Sequence, residues 1–193
     1  MSKLQVDQVS KTTAGADTFV LPASDGTVGQ LMKTDGAGQL GWATDTGGLF
    51  SGYAIFADQK AQNTQGGTFT TGAWRQRDLN TTIANTDTTN ITLGTNDFTL
   101  LAGNYFIQWS FCAHNVYQNQ TQLHDGTITI AIGTCTYAGN TTPATGETRV
   151  TPSTSTTYQI QHRCASTKAS DGLGVAANYQ TEQYATVLIF KEA

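Results

Sequence analysis

The chain has 193 residues, of which 38% are hydrophobic and only 12% charged, and its formal net charge is −4. That is enough apolar material for one core of modest size, with about half the usual share of charge. No basic run is present and no apolar stretch approaches the length of a membrane span, so the composition points away from nucleic-acid binding and from membrane insertion.

With so few charges, the polar surface must be built from Thr, Asn, Gln, Ser and Gly. Thr favours strands, and Asn and Gly favour turns, so an all-β protein is expected. The opening MSKLQVDQVSKTTAG lacks the apolar core of a secretory signal, which implies synthesis in a cytoplasm. The three cysteines, Cys112, Cys135 and Cys164, are then expected as free thiols. Four Asn-x-Thr sequons, at Asn80, Asn90, Asn119 and Asn140, read as chance matches in a Thr- and Asn-rich chain.

Residues 1–47 lack Tyr and Cys and hold short apolar groups: Leu4, Val6 and Val9, then Phe19-Val20-Leu21, Leu31-Met32, Leu40 and Trp42. Within them SDGTVGQLMKTDGAGQLGW carries one phrase twice, Asp-Gly followed by Gly-Gln-Leu. Asp-Gly between short extended segments signals a hairpin. The segment is too poor in apolar residues to bury a core within one chain, so it is expected to order only against copies of itself. It reads as two turns of a stalk or anchor, followed by a linker at 48–52.

From residue 53 to 193 the texture changes. GYAIFAD is a short strand, GAWRQRDLN is extended, and TTNITLGTNDFTL alternates at Ile91 and Leu93. GNYFIQWSFCAH is the clearest long strand. QTQLH follows, then GTITIAIGTCTY, in which Ile128, Ile130 and Ile132 mark one face at period two. GETRVTP, TTYQIQHRC and EQYATVLIFKEA complete the set. Turn clusters separate them, and no stretch has helical period. About eight short strands of this kind indicate an antiparallel sandwich, most economically a jelly roll. The last strand is nearly continuous in apolar side chains, as in a strand buried on both faces. A small sandwich offers only one such face, so Tyr184, Thr186, Val187, Leu188, Ile189 and Phe190 are expected at a subunit interface.

DQKAQNTQGGTFTTGAWRQRDLNT, LLAGNYFIQWS, QIQHRC, GVAANY and the ending YATVLIFKEA resemble, in this order, the head domain at the C-terminus of bacteriophage tail and capsid fibre proteins. That head is similar to the trimeric jelly roll of the complement and tumour-necrosis-factor superfamily. LPASDGTVGQLMKTDGAGQLGWAT resembles a peptide that precedes such heads. The resemblance implies a homotrimer, location on a virion after synthesis in the host cytoplasm, anchoring to a virion protein (baseplate, tail or capsid) through residues 1–47, and contact with a host-surface glycan or protein.

If both ends of the head lie at its base, simple antiparallel order puts the segments 115–119, 138–146 and 166–182 at the apex. Their candidate receptor-binding residues are Asn115 and Tyr117 in the first, Asn140 and Thr141 in the second, and Lys168, Asp171, Asn178 and Tyr179 in the third. Aromatic, amide and carboxylate side chains suit sugar rings and hydroxyls.

Other chemistries are weaker. Cys112-x-His114 and His162-x-Cys164 have the types of a tetrahedral zinc site, but Cys112 shares a face with Gln108 and Ser110, whereas His162 and Cys164 share one with Tyr158 and Ile160, so the pairs need not meet. Buried thiols and hydrogen-bonded histidines are the simpler expectation. No nucleophile elbow and no paired carboxylates are evident, so no enzymatic activity and no cofactor or metal are expected. Arg75, Arg77 and Asp78 suggest a structural Arg–Asp ion pair, and Asp125 and Asp171 have too few acidic neighbours for calcium. The leading expectation is a virion fibre or adhesin whose apical loops contact a host receptor; the alternative is purely structural decoration of a capsid or baseplate, the head acting only to trimerise.

Overall fold

In the computed structural model, which describes residues 6–10, 18–45 and 47–193, every regular element is a strand. The chain forms two compact units, Met1–Gly47 and Gly48–Ala193. Leu4, one of the apolar positions of the opening segment, lies outside the described residues.

In the first unit β1 (Gln8–Ser10) pairs with β2 (Thr18–Val20), and β3 (Gln30–Thr34) pairs with β4 (Leu40–Thr44), both antiparallel. The doubled phrase is thereby explained. Gly29-Gln30-Leu31 and Gly38-Gln39-Leu40 lead into the two strands of one hairpin, each through a left-handed glycine (φ +87° and +95°). Only the second Asp-Gly is a hairpin turn: Asp35 Oδ1 accepts the N–H groups of Ala37 and Gln39. The expectation of two turns therefore needs correction. Asp25-Gly26 forms no turn, and Gly26 lies against Trp42, whose indole N–H donates to the Ser24 carbonyl at 2.7 Å. Val28, Leu31, Met32 and Trp42 remain exposed within this unit, as its poverty of apolar residues implied.

The second unit is a two-sheet sandwich. One sheet has the order β13 (Thr142–Val150), β10 (Tyr105–Ala113), β15 (Glu182–Glu192), β5 (Phe50–Lys60), β7 (Thr81–Asn85). The other has the order β12 (Thr129–Ala138), β11 (Tyr117–His124), β14 (Thr156–Cys164), β9 (Phe98–Leu100), β8 (Ile91–Leu93), with β6 (Arg75–Gln76) added beside β14. All neighbours are antiparallel, and the chain passes from sheet to sheet at β5–β6, β6–β7, β7–β8, β9–β10, β10–β11, β12–β13, β13–β14 and β14–β15. This is a jelly roll. Between the sheets lie Phe56, Ile107, Trp109, Phe111, Leu123, Ile160, Val187 and Ile189, all buried.

Because β5 and β10 run opposite to β15, the head has a base and an apex. At the base β5 begins where β15 ends: the Ala193 N–H donates to the Leu49 carbonyl at 3.1 Å, and the Phe50 and Phe190 rings lie 5.0 Å apart. At the apex are the turns 114–116 and 139–141 and the long segments 61–74 and 165–181.

Four expectations are corrected. The linker is shorter than 48–52, because β5 already begins at Phe50. Residues 138–146 are not one loop, since β12 runs to Ala138 and β13 starts at Thr142. Ile128 and Ile132 are exposed and only Ile130 packs on the core, because register shifts along the edge strand β12 break the period-two pattern. Of the six residues assigned to a subunit interface, Tyr184, Val187 and Ile189 are buried within their own chain, and only Thr186, Leu188 and Phe190 face away from the core.

Gly146 stands opposite Trp109 in the β10–β13 register, and a Cβ there would collide with the indole. The Trp109 N–H is fixed by the Thr121 hydroxyl at 2.8 Å, so the ring cannot retreat without orphaning a buried donor. Gly146→Val is expected to destabilise the head by about 1–3 kcal/mol or more, as overpacking does; chemical denaturation measures this.

Candidate functional site

The surroundings of Arg77 organise the apical half of the head. Arg77 follows β6 and is 2% exposed. Its main-chain N–H donates to the Ile160 carbonyl (2.9 Å). Nη1 donates to the Cys112 carbonyl on β10 (2.9 Å) and to His162 Nδ1 on β14 (2.7 Å), and Nη2 reaches the Leu173 carbonyl of an apical segment (3.4 Å). The Phe69 and Phe111 rings flank the guanidinium at 5.9 and 5.2 Å. Burial lowers the Arg77 pKa to about 10. Asp78 pairs with Lys60 at 3.4 Å instead, and Arg75 donates to the carbonyls of Thr70 and Thr71. The expected Arg–Asp pair within this motif is not formed.

Since Arg77 donates to Nδ1, His162 carries its proton on Nε2 and donates to Asn119 Oδ1 at 2.9 Å. Burial, then the neighbouring Arg77 charge, hold the His162 pKa well below 6.5. Asn119 also accepts from the Thr136 hydroxyl (3.0 Å) and donates to the Tyr117 carbonyl (3.1 Å). A line of polar contacts thus runs from the middle of the sandwich to the outer strands β11 and β12.

Above that line, on the outer side of β12, β11 and β14, is an open groove of about 880 Å³. Its walls are Trp74 and Tyr137, and across it run Cys135, Gln120 and Arg163, which are neighbours in register. Gln118 and Thr71 complete the polar lining, and Asn119 and Cys164 lie at the bottom. Among the described residues that line the groove there is no carboxylate, and Arg163 is the sole charged side chain.

All eight expected receptor-binding residues lie at the apical end, but none lines the groove. Thr141 and Asp171 gather around His114, at 3.2 and 3.9 Å from its two ring nitrogens, and Lys168 pairs with Asp171 at 3.4 Å. Lys168 and Asp171 are thus engaged within the chain. Asn115 is exposed in its turn, as is Asn140. Tyr117 is the first residue of β11, with left-handed backbone (φ 61°), and packs on Tyr137 with ring centroids 5.7 Å apart. Asn178 and Tyr179 project near Glu182, and Tyr179 is 86% exposed. The Glu182 carboxylate accepts the N–H groups of Asn63 (3.1 Å), Ala177 (2.9 Å) and Asn178 (2.7 Å), which clasps the two long apical segments together. These bonds, that from Ala177 first, lower its pKa.

Cys112 faces outward from β10, whereas His162 and Cys164 face inward from β14, and Cys164 donates to the Ser166 carbonyl. The mirrored Cys/His pairs therefore do not converge. Asp125 closes its own turn by accepting from Thr127 and Ile128 at 2.8 Å. Sequence reasoning missed Trp74, Tyr137 and Arg163 because they come together only when β14 is placed beside β11. The period-two spacing of Gln118 and Gln120 was the one local signal.

No protein-family model matches the chain, and no curated protein does. Among solved structures, it is similar to murine APRIL at pH 5.0 (6% identity, 72% of this chain and 98% of that one, TM-score 0.48). It is also similar to the globular domain of the zebrafish complement 1qA protein (12%, 71% and 95%, 0.44) and to the PRD1 vertex protein P5 (12%, 76% and 100%, 0.47).

Two outcomes are expected. His162 is neutral when folded and titrates near 6.5 when unfolded, so its contribution is complete above that pH and is lost as pH falls toward the lower folded value. The raised pKa of Asp58, due mainly to burial, acts in the opposite sense, with the folded state binding the extra proton. Comparing melting temperatures from pH 7.5 to 5.5 with those of His162→Gln isolates the histidine: the parent should lose more stability across the interval than the variant. Second, Glu182→Gln should raise hydrogen exchange at the amides of Asn63, Ala177 and Asn178 while leaving β10 protected.

Proposed function

We propose that this chain is a non-catalytic, virion-borne fibre or adhesin: a homotrimer held to a virion protein through its N-terminal unit, with the apex of its jelly-roll head turned to a host-surface receptor, a glycan above all. The observation that carries this reading is the difference between the outer faces of the two sheets. On the five-stranded sheet, Phe106, Phe190 and Tyr53 form one cross-strand row and Gln108, Leu188 and Ile55 the next, all half-buried or exposed among the described residues of the head. On the opposite sheet the outer positions of β8, β9, β14 and β11 are Thr92, Thr99, Thr157, Gln161, Gln120 and Arg163, and the exposed apolar side chains Ile132 and Tyr137 come with the edge strand β12. An apolar face of this kind is the part a second copy would cover, and a closed threefold ring satisfies all copies at once.

The path of the chain supports the orientation. It enters the head at the base, beside the end of β15, and leaves the apical segments and the groove at the far end. The exposed Leu31, Met32 and Trp42 of the N-terminal hairpin suit contact with further copies or with the virion protein. Weak single sites would be adequate, since three per trimer raise avidity without new contacts.

Light scattering should give a native mass near three times 20.5 kDa, and Leu188→Arg should reduce it to that of a monomer. A monomeric parent would remove the trimer reading. The purified parent at saturation should block adsorption of the particles that carry it; failure to compete would favour structural decoration of the particle.

A further inference from the structure

We infer that the groove between Trp74 and Tyr137 is a binding site for an acidic saccharide, with Arg163 receiving the sugar carboxylate. The inference deepens the adhesin reading and rests on it for biological meaning, but the site itself stands on its own geometry.

Its walls are two aromatic side chains, the half-buried Trp74 and the exposed Tyr137, the latter braced by Tyr117. Flat apolar faces of this kind pack on the C–H surfaces of pyranose rings. Between them lie neutral hydrogen-bonding groups suited to hydroxyls. Gln120 is already oriented, because its Nε2 donates to the Gly133 carbonyl at 2.9 Å and leaves Oε1 turned to other partners. Gln118 is exposed beside it. At about 880 Å³ the groove lies within the range of roughly 300–1,000 Å³ usual for ligand sites.

Arg163 sets the ligand's charge. Arg75 and Arg77 donate to carbonyls or a ring nitrogen, and Arg149 makes a two-pronged pair with Glu192 at 2.6 and 2.7 Å. Among the described residues Arg163 alone of the four arginines has neither a hydrogen bond nor an ion pair from its guanidinium. It stands in a groove without acids, in a chain whose net charge is −4. A free guanidinium fork matches one carboxylate.

Other ligands fit less well. Nucleic acid calls for several cations along the backbone, and only one is present. An extended peptide would add along the free side of the edge strand β12, whereas the groove lies across the faces of β12, β11 and β14, where β11 is hydrogen-bonded on both sides. A wholly apolar ligand would strand the amides. The floor is also preorganised: Asn119, at the bottom, is held by His162 and Thr136, so a ligand meets a fixed surface.

The test titrates the full-length protein with two acidic probes, 3′-sialyllactose and trigalacturonate, and two neutral ones, lactose and maltotriose, by calorimetry and saturation-transfer NMR. At least one acidic probe should bind about ten-fold or more tightly than its neutral counterpart, and added salt should narrow the gap. Arg163→Gln should abolish that preference and Trp74→Ala should abolish binding, with melting temperatures of both variants close to the parent's. Without any variant, the bound acid should slow alkylation of Cys135, the exposed thiol that lines the groove. The inference is overturned if neither acid binds, if neutral probes bind equally well, or if binding survives both substitutions and leaves Cys135 reactive. Adsorption competition separates it from the adhesin reading. Competition without acid binding sinks the groove assignment alone, and acid binding without competition upholds the groove while removing the adhesin role.

Discussion

One buried cation holds the apical half of this head together. The Arg77 guanidinium is out of water, yet it reaches a carbonyl of β10, a histidine of β14 and a carbonyl of the segment before β15. Taking such a charge out of water costs several kcal/mol unless its donors are used. Here the two Nη groups are used, while Nε has no partner. The arrangement gives specificity as much as stability: no apolar side chain of the same size could bond to both sheets and an apical segment at once. The neutral state and tautomer of His162 follow from it, and through His162 so does the position of Asn119 beneath the groove.

The apex is otherwise built by local chemistry. Glu182 accepts three main-chain N–H groups, and the Tyr184 hydroxyl donates to the Thr64 carbonyl at 2.6 Å. Gly66 and Gly174 approach so closely that a Cβ on Gly66 would lie 2.7 Å from the Gly174 nitrogen. The segments 61–74 and 165–181, long for loops, are therefore fixed to one another and to the sandwich, and Trp74 stands at a defined place beside β14 rather than on a free arm.

The all-β class, the jelly roll and most strands were legible, because short period-two runs between Asn, Gly and Asp turns admit few other folds. The spacing of the Cys/His pairs left their meeting open: Cys112 shares a face with Gln108 and Ser110, and His162 with Ile160 and Cys164, and only the structure shows the first face turned out and the second turned in. Three features were not legible. The continuous apolar run of β15 hides a division between a core face and a half-exposed face, and composition does not show it. The two Asp-Gly phrases look alike, yet only the one between β3 and β4 becomes a hairpin turn. The groove depends on strand order, since Arg163, Gln120 and Cys135 are far apart in sequence and adjacent only in register.

The low charge content takes on meaning in this light. A Thr/Gln surface resists non-specific association without creating a strong field. Threonines and glutamines also satisfy one another across strands, as Thr99 does with Thr157 at 2.8 Å and Gln122 with Gln161 at 2.7 Å. On such a surface Arg163, without a partner among the described residues and in one groove with Trp74 and Tyr137, is a local exception. The opposite sheet has its own exception in the Phe106–Phe190–Tyr53 row. The two lie on opposite outer faces of one sandwich. The surface proposed for contact between copies and the groove proposed for a saccharide are thus separate faces of the same head.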